Sequence, residues 1–382
     1  MMKPPKLLDL SPYLRREPVT LAVLSGLAII LFLAVTGLSR IYHAQQDALA
    51  VRWSTRGVAD LNARHFDAAV VEFRAALRYS RSDYSYQLSL AEALLGLKRT
   101  DEAYAYLINL WGRQPENGFV NLELARIAAS RGDTEQALRF YHNAIYATWP
   151  DNQEADSKSA RLELIHYLLG INAKTQAQAE LIALAASAGD NASQQEQLGG
   201  LFLRAQDYNH ALEAYRRSLR LKRDNPAALA GAGEAAFNLG LYPMAQRYLQ
   251  SAVAASPNDT ESADRLRMTR FVLRMDPFRP QIPVARRNRI VLAAFAVAGN
   301  RLKSCATPGG ATAPPAPLQN LTQQWTKLKP QITERGLRQD PDLANTAMTL
   351  VFNIEHQAEA ACGAPTETDS ALLLIAKLHE EN

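Results

Sequence analysis

Ala211, Tyr215 and Ser218 lie four and then three residues apart, the spacing that sets side chains on one face of a helix. The same face recurs at long range. Steps of 34 from Ala211 reach Ala245 and Ala177; a step of 40 then reaches Ala137, and two more of 34 reach Ala103 and Ala69. Four residues after these anchors stand Phe73, Leu107, Tyr141, Leu181, Tyr215 and Leu249; seven after stand Ala76, Leu110, Ala144, Leu184, Ser218 and Ala252. Twelve before stand Gly57, Ala91, Ala125, Ile165, Gly199 and Gly233, with Leu90, Leu124 and Leu198 next to three of them. Small and large apolar residues in this fixed order predict pairs of packed helices. Polar turns such as KRTDE (98–102) and RAQDY (204–208) fall between them. Prolines near the ends of the second helices (Pro115, Pro150, Pro226 and Pro257) are expected to terminate them.

This arrangement, with Trp53 sixteen residues before the first anchor, resembles the tetratricopeptide repeat family over about residues 50–259. The resemblance implies an all-α fold: a right-handed α-solenoid of about six helical hairpins, at 50–83, 84–117, 118–151, 158–191, 192–225 and 226–259. The fourth repeat departs from the pattern. Ile165 and Leu184 are bulky where small residues are usual, and six extra residues precede it. In that family the first helix of each repeat lines a groove for protein or peptide partners. Carried onto this chain, the groove positions include Glu92, Arg126, His166, Arg204, Glu234 and Asn238, among leucines such as Leu88, Leu95 and Leu162. The Lys/Asn/Arg carboxylate clamp of chaperone-binding members is not present in that arrangement. A protein segment held by apolar contacts, with the charges setting its register, is the expected ligand.

Residues 19–38 contain no charge, and twenty helical residues span roughly 30 Å, the thickness of a bilayer's hydrocarbon core. The stretch reads as a transmembrane helix after an N-terminal tail (1–18) and before a juxtamembrane helix (39–49). A cleaved signal peptide and a buried soluble helix are the competing readings. Lys3, Lys6, Arg15 and Arg16 precede the span and Arg40 and Arg52 follow it, which favours a cytoplasmic N-terminus. The expected setting is a bacterial inner membrane, single-pass, with the body outside the cytoplasm; the bacterial part rests only on the anchor-plus-repeat layout.

Beyond the repeats, 260–275 reads as a capping helix, 276–283 as a Pro-rich linker and 284–382 as a small helical region. Its two cysteines, Cys305 and Cys362, are the only ones in the chain. In an oxidising compartment they pair as a disulfide; otherwise they remain thiols. They lack metal-ligand spacing, and Glu163 with His166 reads as an incidental pair, so neither a metal nor a cofactor is expected. No phosphate-cradling glycine loop or catalytic motif is found, so the chain reads as a non-enzyme. The segment YNHALEAYRRSLRLKRDNP (208–226) is basic, but a net charge of +4 over 382 residues is mild. Arg216, Arg217, Arg220 and Arg223 alternate with the buried seam and read as a solvated outer face, which disfavours nucleic acid. Two rival readings stay open: an unfamiliar catalytic domain in the C-terminal region, and a cytoplasmic body that binds nucleic acid.

Overall fold

A computed structural model describes residues 11–149, 152–306 and 316–380. Among these residues the chain is all-α, without a strand; a single bridge pairs Asn117 with Thr148. The tail charges Lys3 and Lys6, the proline at 150 and the loop 307–315 lie outside the described residues. The chain divides into two compact units, Met1–Tyr167 and Leu168–Asn382.

In the first unit, helix α1 (Ser11–Asn62) pairs with α2 (Phe66–Tyr79), α3 (Tyr84–Gly96) with α4 (Thr100–Arg113), and α5 (Gly118–Ser130) with α6 (Thr134–Tyr146); α7 (Gln153–Gly170) follows. In the second, α8 (Lys174–Ala186) precedes the hairpins α9 (Ala192–Arg204) with α10 (Tyr208–Leu221) and α11 (Pro226–Asn238) with α12 (Tyr242–Ala255), then α13 (Thr260–Met275). These are helical hairpins, and the sequence register is their packing register. All six anchor alanines are fully buried, as are Phe73, Leu107, Leu181, Ala76, Leu110 and Ala144. Tyr141, Tyr215 and Leu249 are nearly so. Each large apolar side chain buried in this way contributes roughly 1.5–3 kcal/mol. Leu184 is only half-buried, so the fourth hairpin is weaker in its second helix.

The hairpin turns carry a backbone signature that the side chains do not advertise. Arg64, Lys98, Gly132, Asn172, Gln206 and Gly240 all adopt positive φ, between 60° and 74°. They lie five residues before the six anchors, and so repeat with the same steps of 34 and 40. The next residue's N–H closes each turn on a carbonyl of the first helix: His65 to Asp60, Arg99 to Leu94, Asp133 to Ala128, Ala173 to Leu168, Asp207 to Phe202 and Leu241 to Ala236, at 2.8–3.0 Å. This left-handed closure turns the last free carbonyls of the first helix into acceptors. Only two of the six positions are glycine, so glycine could not have marked the turns. Helix starts are capped where the sequence permits: the side chains of Asp83, Asn117, Asp133, Asn191, Asp207, Asn225 and Asp259 accept from main-chain N–H groups of the following turn.

Two local expectations differ from the structure. Residues 39–49 are not a separate helix but the middle of α1, because nothing in 39–62 breaks the helical path. Pro226 does not end the preceding helix, which stops at Leu221; it opens α11 as its first residue, where a missing N–H costs nothing. The C-terminal helices pack onto the last repeat helices. Tyr242 of α12 and Val272 of α13 share one core with α14 (Val284–Ala306), α17 (Asp342–Ala361) and α18 (Glu367–Glu380). Two shorter helices, α15 (Ala316–Leu328) and α16 (Glu334–Gln339), add Leu318 and Leu337 to this core. Cys305, 2% exposed, is bonded to Cys362, with Cα atoms 5.3 Å apart. In α1, the Thr20–Asn62 part is long and apolar enough to cross a membrane, and none of its most apolar stretch is buried. Leu21, Leu24, Ile30 and Phe32 all point away from protein.

Candidate functional site

In the first unit, the first helices of successive hairpins place charged residues side by side. Arg126 of α5 donates through Nη1 to Oε1 of Glu123, one turn back. It reaches Glu163 of α7 with two nitrogens, Nη2 to Oε1 and Nε to Oε2, the latter at 2.9 Å. A forked guanidinium on a carboxylate is the strongest common geometry for such a pair. These bonds raise the Arg126 pKa still further, so it stays a fixed cation. Glu123 is largely buried, and desolvation pushes its carboxyl up against the opposing pull of Arg126; Glu163 and Glu92 add to the upward push. Two carboxylates, Glu123 and Glu163, therefore share one guanidinium, and the charge of a third, Glu92, is felt at Glu123. Glu92 of α3 is exposed and has no cationic partner among the described residues. Behind them Tyr141 and Tyr167 pack with ring centroids 5.8 Å apart, and the Tyr167 hydroxyl bonds Thr134 Oγ1 at 3.1 Å. Burial pushes the Tyr141 hydroxyl pKa up. His166 is exposed at the end of this row and makes no bond to Arg126.

In the second unit the corresponding face is built around Tyr215. Its ring occupies the space left by two glycines: a Cβ on Gly231 would lie 2.1 Å from Tyr215 Cζ, and one on Gly199 would lie 2.9 Å from the ring. The hydroxyl end lies beside Gly200. Burial, then the charges of Glu234 and Glu196, push this hydroxyl's pKa far up, so it remains a neutral phenol. Glu196 accepts from Asn225 Nδ2 at 2.5 Å, and Glu234 pairs with Arg265 of α13 at 3.3 Å. Asn238 is committed to its own helix, donating to the Glu234 carbonyl at 2.9 Å. Arg204 is exposed at the end of α9. Gly231→Ala is expected to displace the Tyr215 ring and cost about 1–3 kcal/mol in urea unfolding of the full chain. Adding Tyr215→Leu should recover part of that loss, and a single substitution costing under about 0.5 kcal/mol would show that the ring yields freely.

The structure thus brings Arg126 together with Glu123 and Glu163, places Glu92 near them, and leaves His166 and Arg204 on their own. Glu163 is occupied by Arg126 rather than matched with His166, and among the described residues no group of three His, Cys, Asp or Glu converges on a metal position. Glu123, Glu196 and Arg265 were not candidates on sequence, and Glu163 stood out only beside His166; their spacing to Arg126 and Glu234 is informative only once the hairpin register is known. The basic run is exposed at Arg216, Arg217 and Arg220 of α10 and at Arg223 just beyond it, with Arg217 paired to Glu213.

Neither a protein-family model nor a curated protein matches the chain. Among solved structures it is similar to YrrB, a TPR protein described as having an unusual peptide-binding site: 13% identity, 50% of this chain and 96% of that one, TM-score 0.40. It is similar to pilF of Pseudomonas aeruginosa, with 16% identity over 58% of this chain and 97% of that one, TM-score 0.38. It is also similar to the TPR2AB domain of yeast Sti1 in its pHSP90 complex, with 17% identity over 66% and 92%, TM-score 0.27.

Proposed function

We propose that the protein is a membrane-anchored scaffold whose first-helix face, in the N-terminal unit, takes a positively charged segment of a protein partner. The supporting observation is the charge imbalance around Arg126: it is bonded by two carboxylates, the largely buried Glu123 and Glu163, while the charge of a third, Glu92, acts on Glu123 and has no cationic partner among the described residues. A lysine or arginine of the partner would complete that set, and a partly desolvated pair is worth more than one fully in water. Leu88 and Leu95 share the Glu92 side of α3 at helical spacing and are half-buried, so apolar contacts flank the charges. Anchoring through residues 19–38, with the body on the outer side of a bacterial inner membrane, is supported by the unburied apolar length of α1 and by the disulfide, which persists in oxidising compartments. Envelope assembly, secretion and protein quality control are the roles this layout suits.

The test is photo-crosslinking in carbonate-washed membranes from probes at positions 88 and 92, with a probe at the outward Arg217 as reference. Discrete adducts from 88 and 92, weakened by a companion Glu163→Lys substitution, are expected. Equal adducts from all three positions, or loss of the protein from the washed membranes, would overturn the corresponding half of the proposal.

A further inference from the structure

The second unit contains a cavity of about 680 Å³ between α12, α13, the 276–283 segment and the start of α14, and five arginines line it: Arg267, Arg270, Arg274, Arg279 and Arg286. Among the described residues no carboxylate lines it. Arg267 sits against Asp264 and Glu367, each at 3.2 Å. Among the described residues the other four have no carboxylate partner, and Arg274 stacks over Phe271, 5.3 Å from the ring centroid. Arg279 carries its Nε shielded from solvent with no acceptor. An unpaired charged donor held in that way is costly, and the cost is offset when an anion arrives.

A second observation is independent of the cavity. Helix α14 starts VARRNR, with no acidic residue in its first turn. The N-terminal end of a helix is its positive end, where arginine is unfavourable and an anion is stabilised. Arg286 and Arg287 lie in that first turn, against the rule, and Arg286 faces the cavity. Val253 and Leu266 supply apolar wall. The volume falls in the range of small-ligand sites.

We infer that this cavity binds a phosphate-bearing ligand, gripped by the guanidinium forks of Arg270, Arg274, Arg279 and Arg286 and by the positive end of α14. Guanidinium is the cation whose planar donors match phosphate oxygens two at a time. The chemistry is shared by a soluble polyphosphorylated molecule and by the headgroup of an anionic phospholipid, and the test separates them.

Inorganic tripolyphosphate is titrated calorimetrically into the full chain in detergent at fixed ionic strength, with sulfate as a reference. Saturable binding to one site, at least tenfold tighter than sulfate, is expected. Arg270→Gln with Arg286→Gln, both on exposed positions, should weaken it at least tenfold, while Arg217→Gln, on α10, should leave it unchanged. Arg279→Lys keeps the charge but loses the fork and should weaken binding several-fold, which covers the case in which the double variant misfolds. Dihexanoyl phosphatidylglycerol displacing tripolyphosphate where dihexanoyl phosphatidylcholine does not would identify a lipid headgroup as the source; no displacement would identify a soluble anion. Tripolyphosphate binding no better than sulfate, or unchanged in both the double variant and Arg279→Lys, overturns the proposal.

Discussion

Replacing Cys305 and Cys362 together by alanine is expected to lower the stability of the C-terminal unit by about 4 kcal/mol. The bridge closes a loop of 57 sequence steps, and tying a loop of that length raises the free energy of the unfolded chain by roughly this much, because it removes entropy. The native state contributes as well. Cys305 is buried in the core shared by α12, α13, α14, α17 and α18, so reduction would release chain at the end of α14. One turn earlier, Arg301 donates to the carbonyls of Gly363, at 2.8 Å, and Ala364, which follow Cys362 directly. Bridge and arginine therefore clamp the same turn. Urea unfolding should show the loss both in the double variant and in the native chain treated with dithiothreitol, and the reductant should add nothing to the variant. A loss below about 1 kcal/mol would show that packing around Arg301 holds the turn unaided.

The repeats were legible because their signal is redundant. Ala69, Ala103, Ala137, Ala177, Ala211 and Ala245 are individually unremarkable in a chain this rich in alanine, yet all are fully buried, since only a small residue fits where two helices meet. Their locked spacing to Phe73, Leu107 and Tyr141 carried the information. The turns were half legible. The polar stretches marked where they fall, but the left-handed residue is arginine, lysine, asparagine or glutamine in four of six cases, so only the backbone reveals it. The chemistry around the candidate residues was not legible. Glu92, Arg126 and Glu234 each lie on the first helix of a hairpin, but what Arg126 and Glu234 bond to depends on neighbours 31 to 37 positions away, Glu163 for Arg126 and Arg265 for Glu234. The five-arginine cavity drew no attention in sequence, because its residues come from α13, the proline-rich segment and α14 and share no period. The C-terminal core was hidden for the same reason, its members being joined across long loops.

Arg301→Met is expected to destabilise that same unit by roughly 3–5 kcal/mol, the usual result of removing one partner from a buried charge pair. Arg301 is 10% exposed and Asp369 4%, with Nε and Oδ2 3.7 Å apart. Beside them lies Glu355 of α17, 1% exposed, with Oε1 lacking any hydrogen-bond partner. Burial, reinforced by the charge of Asp369 and opposed by that of Arg301, pushes the Glu355 carboxyl up from 4.5 to about 7. Because the folded chain holds this proton more tightly than the unfolded chain, Glu355 favours folding fully below pH 4.5. That contribution declines as pH rises, until it is gone near pH 7, and stays flat above. The difference in unfolding free energy between the native chain and Glu355→Gln isolates this group from every other titration. The amide cannot ionise, so the variant should gain on the native chain steadily from pH 5 to pH 7 and hold a constant advantage at pH 8. In the Arg301→Met background the opposing charge is absent, so Glu355 should keep its proton to higher pH and the divergence from its own glutamine variant should shift upward. A native chain and glutamine variant that track each other from pH 5 to pH 8 would mean that Glu355 ionises in the fold as it does in water, with solvent or a moved Arg301 reaching it.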